Sequence, residues 1–133
     1  NGRAETSFKT CLNLNPNYEP ALFNLAKVYQ NEKRFKKSNE MFIKFIKIKG
    51  PNTAAYLIMA SNNLMIGEND KAKILYKKVI DLKPDNLIAL TNLAKIYFSL
   101  EKKEISRSYI ERALKLNLSK TQANELNQLL KKF

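Results

Sequence analysis

The sequence predicts an all-α protein, a right-handed superhelix of stacked helix-turn-helix repeats that ends in a C-terminal capping helix. Similar segments recur at a constant spacing along the 133-residue chain. Each repeat contains two segments whose apolar residues have helical spacing. The chain has only 3 Gly and 4 Pro, too few for the many turns of a β-barrel or β-sandwich.

The repeat is clearest in two segments that stand two repeat periods apart. Residues 21–29, with the sequence ALFNLAKVY, return as residues 89–97, with the sequence ALTNLAKIY, and residues 55–63 lie midway. The units end at equally spaced positions, which hold Pro16, Gly50, Pro84 and Leu118. The register holds without an insertion, as expected of a solenoid in which each repeat packs only on its neighbours.

Seven helices are predicted for the repeats. The first helix of a repeat is predicted at residues 20–31, 54–65 and 88–99, and the second at residues 3–14, 36–48, 70–82 and 104–116. One helical face is apolar in the first of these, where the i, i+3, i+4 and i+7 positions hold Leu22, Leu25, Ala26 and Tyr29. Prolines that cannot continue a helix follow three of the second helices, at Pro16, Pro51 and Pro84.

An eighth helix is predicted at the C-terminus. Ser119 and Gln122 have the spacing of a capping box, in which each side chain bonds the backbone amide of the other residue. The apolar stripe of this helix consists of Ala123, Leu126, Leu130 and Phe133. Because the small-residue pattern of the repeats is missing here, we interpret the segment as a capping helix.

Small and bulky residues occupy fixed columns of the repeat. In the first helices a small residue recurs as Ala26, Ala60 and Ala94, and the aromatic at the third position after it is Tyr29 or Tyr97 but is replaced by Asn63. The second helices carry three columns: Ala4, Ser38, Ala72 and Ser106; Phe8, Phe42, Tyr76 and Ile110; Cys11, Phe45, Val79 and Ala113. This pattern, with its period of 34, resembles the tetratricopeptide repeat family over nearly the whole chain. The column of Cys11 predicts a buried, inert thiol.

We expect one domain over residues 1–133. It comprises the second helix of a truncated repeat at 1–18, full repeats at 19–52, 53–86 and 87–120, and the capping helix at 121–133. Since the first segment lacks a first helix, we expect the chain to be a fragment of a longer protein. The apolar face of the helix at 3–14, including Phe8 and Leu12, is then expected to be partly uncovered and available for self-association.

The composition excludes several kinds of chemistry. The chain has no His, no Trp and a single Cys, so it can build no Ser-His-Asp triad, His-ligated metal site, multi-Cys metal cluster or intrachain disulfide. The three Gly are isolated, so no phosphate-binding glycine loop is present. We therefore expect no enzymatic activity, no metal and no cofactor. No apolar run approaches the roughly 18 residues that a transmembrane segment requires.

The resemblance implies a concave surface, lined by the first helices, that holds an extended or helical segment of a partner protein. The candidate partner-binding residues are Asn24, Lys27, Asn31, Ile58, Ser61, Asn62, Met65, Asn92, Lys95 and Ser99. The amides of Asn24 and Asn92 are expected to pair with a peptide backbone, because an amide offers donors and an acceptor. Lys27 and Lys95 are expected to favour an acidic segment.

Some members of this family clamp a terminal carboxylate with Lys, Asn, Asn, Lys and Arg in fixed columns. In this chain the corresponding positions hold Phe23, Lys27, Ile58, Ile88 and Asn92. Lys27 stands in an Asn column and Asn92 in the Arg column, so no position matches and a carboxylate clamp is not predicted.

The chain carries a net charge of +12, and its Lys and Arg residues fall mostly on predicted turns and second helices. Such a basic convex face can attract nucleic acid or an anionic membrane surface by displacing counterions. Acidic residues such as Glu40, Asp70 and Glu111 interrupt the basic runs, and no exposed aromatics alternate with them. A solvated face is therefore favoured over nucleic-acid binding.

The sequence thus predicts a non-catalytic scaffold or adaptor for protein–protein interaction. The alternative is that the same array is the substrate-recognition arm of a larger enzyme or envelope machine, and the sequence leaves both open. The compartment also stays open: a cytoplasmic location is slightly favoured, and a periplasmic or lipid-anchored full-length protein is the alternative.

Overall fold

The computed structural model describes residues 2–132, and this part of the chain forms eight α-helices and no strand. The helices are α1 (Gly2–Leu14), α2 (Glu19–Asn31), α3 (Phe35–Lys49), α4 (Thr53–Met65), α5 (Asn69–Leu82), α6 (Leu87–Ser99), α7 (Lys103–Leu114) and α8 (Lys120–Leu130). Each begins one residue before its predicted start. The all-α prediction and the order of the helices are therefore confirmed.

Polar caps and a proline fix where the first helices of the repeats begin. The side-chain oxygen of Asn52 accepts a hydrogen bond from the Ala55 amide at 2.9 Å, and that of Asn86 accepts one from the Ala89 amide at 3.0 Å. These bonds satisfy amides that have no partner within the helix. Helix α2 instead has Pro20 in its first turn, where a missing amide hydrogen is tolerated.

Three turns between helices share one backbone geometry. Lys33, Gly67 and Glu101 have positive φ angles of 61°, 81° and 61°. In each turn the amide of the next residue donates to the carbonyl of Tyr29, Asn63 or Tyr97, at 2.8, 2.8 and 3.0 Å. This is the left-handed cap that ends many helices, and it is easiest for glycine because glycine has no Cβ. The repeat therefore uses the same chain reversal at all three places.

The chain divides into two compact units, with the boundary between Ala72 and Lys73 inside α5. In the first unit α2 contacts both α1 and α3, and α3 also contacts α4. The ring of Phe23 meets those of Phe42 and Phe45 edge-on, with centroid distances of 5.2 and 5.1 Å. Such contacts add to the apolar area buried in this unit. That residues 1–133 form a single domain stays a prediction.

In the second unit α7 contacts both α6 and α8. Its core contains Leu90, Ala94, Ile110, Ala113 and Leu126, so residues from all three helices meet. Leu126 is the buried residue of α8, and its neighbours in the helix are largely exposed. This arrangement fits the expected role of α8 as a cap on the apolar core.

The start of α8 has the predicted capping box. The Gln122 amide donates to the Ser119 hydroxyl at 3.2 Å, and the Ser119 amide donates to the Gln122 side-chain oxygen at 3.0 Å. Two amides without partners inside the helix are thereby satisfied. Phe133, the last residue of the predicted apolar stripe, lies outside the described residues.

The repeat columns form the core from α2 onward. The small residues Ala26, Ala60 and Ala94 are completely buried, as are Ser38, Ala72 and Ser106. Where small residues occupy these positions, two helix backbones can approach closely. The column pattern therefore predicted the packing of these helices correctly.

Helix α1 departs from the columns, and the prediction of a buried Cys11 is wrong. Cys11 is exposed, and α1 has no buried residue, although Phe8 and Leu12 are half-buried. Phe45, the equivalent residue of α3, packs on Phe23 of the preceding helix. The described residues contain no helix before α1, so the matching side of α1 meets no such partner.

No helix within residues 2–132 combines the length and the apolar character that crossing a membrane requires. The same part of the chain also has no group of three or more His, Cys, Asp or Glu side chains placed to hold a metal ion.

Candidate functional site

Three predicted partner-binding residues form an exposed stripe on α2. Asn24, Lys27 and Asn31 stand at i, i+3 and i+7, so they lie on one side of the helix, and all three are exposed. The ammonium of Lys27 lies 6.0 Å from the centroid of the Phe23 ring, within the range of a cation–π contact. The stripe thus offers amides and one partly oriented cation to a partner.

Three residues on α4 form a second, more apolar stripe. Ile58 and Ser61 are half-buried, and Met65 is 63% exposed. A methionine this exposed presents a flexible apolar side chain to the solvent, which suits contact with partners of varied shape. That these three residues contact a partner stays a prediction.

Asn62 does not belong to this surface, and its predicted contact with a partner is wrong. Its side chain is completely buried between α3 and α4. The Asn62 amide donates at 3.0 Å to the Ser38 hydroxyl and at 3.0 Å to the side-chain oxygen of Asn39. Adjacent residues lie about 100° apart around a helix, so Asn62 faces α3 while Ser61 faces outward.

The bonds of Asn62 belong to a larger polar network. Asn39 also donates to the side-chain oxygen of Asn63 at 3.1 Å, and Asn63 is only 5% exposed. Asn63 stands where the other repeats have Tyr29 and Tyr97, so a polar pair replaces an aromatic ring. The side-chain oxygen of Asn62 is buried and accepts no hydrogen bond from residues 2–132, so this interface is not fully satisfied.

The predicted residues of α6 have more local bonding than those of α2. The Asn92 amide donates to the Ile88 carbonyl at 2.9 Å, and the Ser99 hydroxyl donates to the Ile96 carbonyl at 2.7 Å. Lys95 is exposed. Asn92 therefore keeps one N–H and its oxygen for a partner, so it is not equivalent to Asn24.

A cavity of about 410 Å³ lies between α6 and α8 and includes Lys95. Its lining residues are Leu87, Thr91, Lys95, Gln122, Glu125, Leu126, Gln128, Leu129 and Lys132. Leucines supply apolar surface, and charged and amide groups surround it. Sequence reasoning identified only Lys95 among these residues. The missed signal was the repeat offset, which places Gln122 and Glu125 on α8 at the positions of Ile88 and Thr91 on α6.

Several solved structures share this fold. The structure of MamA covers 96% of this chain and 83% of its own, with a TM-score of 0.78 and 22% identity. A tetratricopeptide repeat protein from Parabacteroides merdae covers 96% of this chain and 51% of its own, with a TM-score of 0.87 and 19% identity. The first repeat domain of Spaghetti (RPAP3), bound to the HSP90 peptide SRMEEVD, covers 86% of this chain and 91% of its own. Its TM-score is 0.72 at 17% identity.

The sequence also matches a curated relative, the uncharacterized protein ycf37 of Pyropia yezoensis, with 32% identity over 66 residues. The match spans 50% of this chain and 37% of that relative, so the chain covers well under half of its length. Residues 19–52, 54–86 and 87–120 each match the tetratricopeptide repeat. These matches cover most of the chain and coincide with the helix pairs described above, and the chain therefore belongs to the tetratricopeptide repeat family.

Proposed function

We propose that the protein is a non-catalytic interaction scaffold that binds an extended or helical segment of a partner protein through outward-facing residues of its first helices. The observation that carries this proposal is the cavity between α6 and α8, in which the predicted residue Lys95 lies beside apolar surface. Where a longer protein carries this domain, the same surface would serve as its substrate-recognition arm.

The cavity has the size and chemistry of a site for one or two side chains. Its volume of about 410 Å³ lies in the range of small-ligand pockets. Leu87 and Leu129 supply apolar surface for an aliphatic or aromatic side chain, while Gln122 and Gln128 offer amide donors and acceptors. An extended segment can therefore bury a side chain here and pair its backbone at the rim.

The charged residues of the cavity favour a ligand that carries an acidic residue next to the buried side chain. Lys95 and Lys132 are cationic, and Glu125 is the acidic residue in the lining. Exposed charges of this kind act mainly on association rate and on choice of partner. On the first unit, Lys27 provides a similar bias beside the amide of Asn24. The bound peptide of the RPAP3 structure, SRMEEVD, is also acidic, which supports this type of ligand for the fold.

The proposal predicts how binding responds to loss of the asparagines and lysines. Random dodecapeptides displayed on phage are selected against the chain, and the affinity of the best peptide is measured by fluorescence anisotropy. Each lost hydrogen bond contributes about 0.5–1.5 kcal/mol, so the double variant Asn24→Ala/Asn92→Ala should bind roughly tenfold more weakly. Lys27→Ala/Lys95→Ala should also weaken binding, and this effect should fade at high salt because the charges are exposed.

A matched control on α3 distinguishes the proposed surface from general charge. Lys44 and Lys47 are exposed, so Lys44→Ala/Lys47→Ala removes the same charge as the variant of Lys27 and Lys95. We expect this control to bind the selected peptide with unchanged affinity. Unchanged binding by the asparagine variant together with loss of binding by the α3 control would place the ligand elsewhere and contradict the proposal.

A further inference from the structure

A cluster of cations and tyrosines lies on the second unit, formed by residues of α5, α6 and α7. The rings of Tyr97 and Tyr109 stack, with centroids 5.7 Å apart and planes inclined by 16°. The ammonium groups of Lys73 and Lys77 lie 5.6 and 5.4 Å from the Tyr97 centroid. The Arg112 guanidinium lies 5.6 Å from the Tyr109 centroid. We name these five residues the tyrosine–lysine cluster.

The cluster turns its charges outward and its rings inward. Lys77 and Arg112 are exposed, Lys73 and Tyr109 are half-buried, and Tyr97 is only 5% exposed. The two rings therefore lie on the inner side of the cationic groups. A hydrogen bond to the Tyr97 hydroxyl raises the pKa of Lys77, so the contact with the ring favours the charged form of this side chain.

The cluster does not share the face of α6 that carries the proposed partner site. Tyr97 is the second residue after Lys95, which corresponds to a rotation of about 200° around the helix axis. Lys95 lines the cavity with α8, whereas Tyr97 meets residues of α5 and α7. The cluster is therefore a second surface of this unit.

The equivalent position of the first unit carries opposing charges. Tyr29 there is covered by Arg34, whose guanidinium lies 4.5 Å from the ring centroid. Arg34 pairs with Glu5 at 3.0 Å and with Glu32 at 3.3 Å. Glu5 precedes Lys73 by two repeat periods, so the second unit has a lysine where the first has this carboxylate. The repeat fold does not require the cationic version of this site.

We propose that the tyrosine–lysine cluster binds a short acidic segment, rich in Asp and Glu, of a partner protein. Three cations from two helices offer charge complementarity to several carboxylates within one patch. The tyrosine rings already restrict the long side chains, so less rotamer entropy is lost when a ligand is bound. This surface is independent of the partner site proposed above.

Two features favour an acidic protein segment over a nucleic acid. The ring faces contact each other and the cations, so no base can stack on them. Asp81, Glu104 and Glu111 are exposed on the same helices and would repel a continuous phosphate backbone. A short acidic segment extends over less of this surface than a nucleic-acid strand does, so it meets fewer of these carboxylates.

The test uses a fluorescein-labelled peptide of ten glutamates and the full chain, with binding measured by fluorescence anisotropy at low salt. We expect Lys73→Glu/Lys77→Glu to weaken binding at least about tenfold, because attraction becomes repulsion at close range. The matched control Lys44→Glu/Lys47→Glu on α3 makes the same change in net charge, and we expect about a twofold effect or less, because distant exposed charges are screened. Equal weakening by the two variants would overturn the proposal, since general charge would then explain the binding.

Two further arms separate this proposal from its competitors. A partner-site variant, Lys27→Glu/Lys95→Glu, should affect the glutamate peptide less than the cluster variant does, and the reverse order would overturn the assignment to the cluster. A single-stranded oligonucleotide and phosphatidylserine vesicles should bind more weakly than the peptide. The oligonucleotide or the vesicles could instead bind more tightly than the peptide and lose this binding in Lys73→Glu/Lys77→Glu. That result would overturn the assignment to an acidic protein segment.

Folding of the variants is checked by thermal unfolding with circular dichroism. If the double reversal unfolds, the milder variants Lys77→Gln and Arg112→Gln replace it, since both positions are exposed. Each should lower the affinity for the glutamate peptide about twofold to fivefold, as loss of one exposed charge pair is worth well under a tenfold change. If the folded double variant Lys77→Gln/Arg112→Gln bound the peptide with unchanged affinity, the proposal would be overturned. The contacts of the cluster would then have only a structural role.

Discussion

The two compact units have a serine in the same column of the repeat, but this serine has different hydrogen-bond partners in the two units. Ser38 and Ser106 stand two repeat periods apart, and both are completely buried. The Ser106 hydroxyl donates to the Ala94 carbonyl at 2.6 Å, across the α6–α7 pair. The Ser38 hydroxyl instead accepts from Asn62 of α4. The column therefore specifies the size of a side chain, while its hydrogen bonds depend on the neighbouring helix.

The charged residues around an equivalent tyrosine also differ between the two units. Tyr29 and Tyr97 are equivalent and both buried, but the first lies near the Glu5–Arg34 pair and the second near Lys73 and Lys77. Apolar columns are constrained because they fill a close-packed interior. The charged residues around each tyrosine are not constrained in this way and can differ between repeats. Those of the second unit can therefore serve binding while those of the first unit stabilise the fold.

The largest predicted effect tests whether the two cores are equivalent. Leu22 and Leu90 occupy the same column and are each 1% exposed. Replacing either by Ala should cost about 2–5 kcal/mol in free energy of unfolding, because apolar contact is lost and a cavity is left. Urea denaturation of the two variants measures this cost. A cost below about 1 kcal/mol for one of them would show that the cores are not equivalent.

A smaller effect is predicted for the polar bonds that distinguish the units. Asn62→Ala should cost about 1–3 kcal/mol, because it removes the donor that serves Ser38 and Asn39 in a buried interface. Ser106→Ala should cost only about 0.5–1.5 kcal/mol, since it removes a single hydrogen bond. Urea denaturation again provides the measurement. The reverse order would mean that the Asn62 network, with its unpaired oxygen, contributes little to stability.

The smallest effect is predicted for the Glu5–Arg34 pair and depends on pH. Partial burial raises the pKa of Glu5, but the hydrogen bond and charge of Arg34, together with Lys9, outweigh this and lower the pKa below its ordinary value of 4.5. Ionised Glu5 therefore stabilises the folded state above pH 4.5, and this contribution is lost as the pH falls through the lowered pKa. Glu5→Gln should accordingly reduce the melting temperature slightly at pH 7, and the difference from the parent should vanish in acid.

The variant Arg34→Gln serves as the control for this pair. In that background Glu5→Gln should have a much smaller effect at pH 7, because the main partner of Glu5 is gone. Two additive effects would mean that Glu5 and Arg34 are not coupled.

The helices and the core were predictable because a constant repeat register and helical periodicity report directly on packing. The burial of Asn62 was not, since its partners Ser38 and Asn39 belong to another helix and are distant in the sequence. Within α4, Asn62 is as polar as its outward-facing neighbour Ser61, so residue type could not separate them. Cys11 was misjudged because its column presupposes a preceding helix, which residues 2–132 do not contain.

The tyrosine–lysine cluster escaped sequence reasoning for a related reason. Lys73 and Tyr97 belong to different repeats, and each looks ordinary within its own helix. Their contact depends on how the second helix of one repeat lies against the first helix of the next. A search for partner residues in a repeat protein should therefore compare positions across the repeat boundary as well as within a column.

The left-handed turn residues bear on how such an array can change without losing its partners. Lys33 and Glu101 hold a conformation that costs a side-chain-bearing residue about 1–2 kcal/mol, whereas Gly67 adopts it at the equivalent turn without that cost. Neither residue belongs to the partner stripes or to the tyrosine–lysine cluster. Replacing either residue by glycine would therefore relieve this conformational cost. The stability gained in the turn could offset a destabilising change at a binding surface.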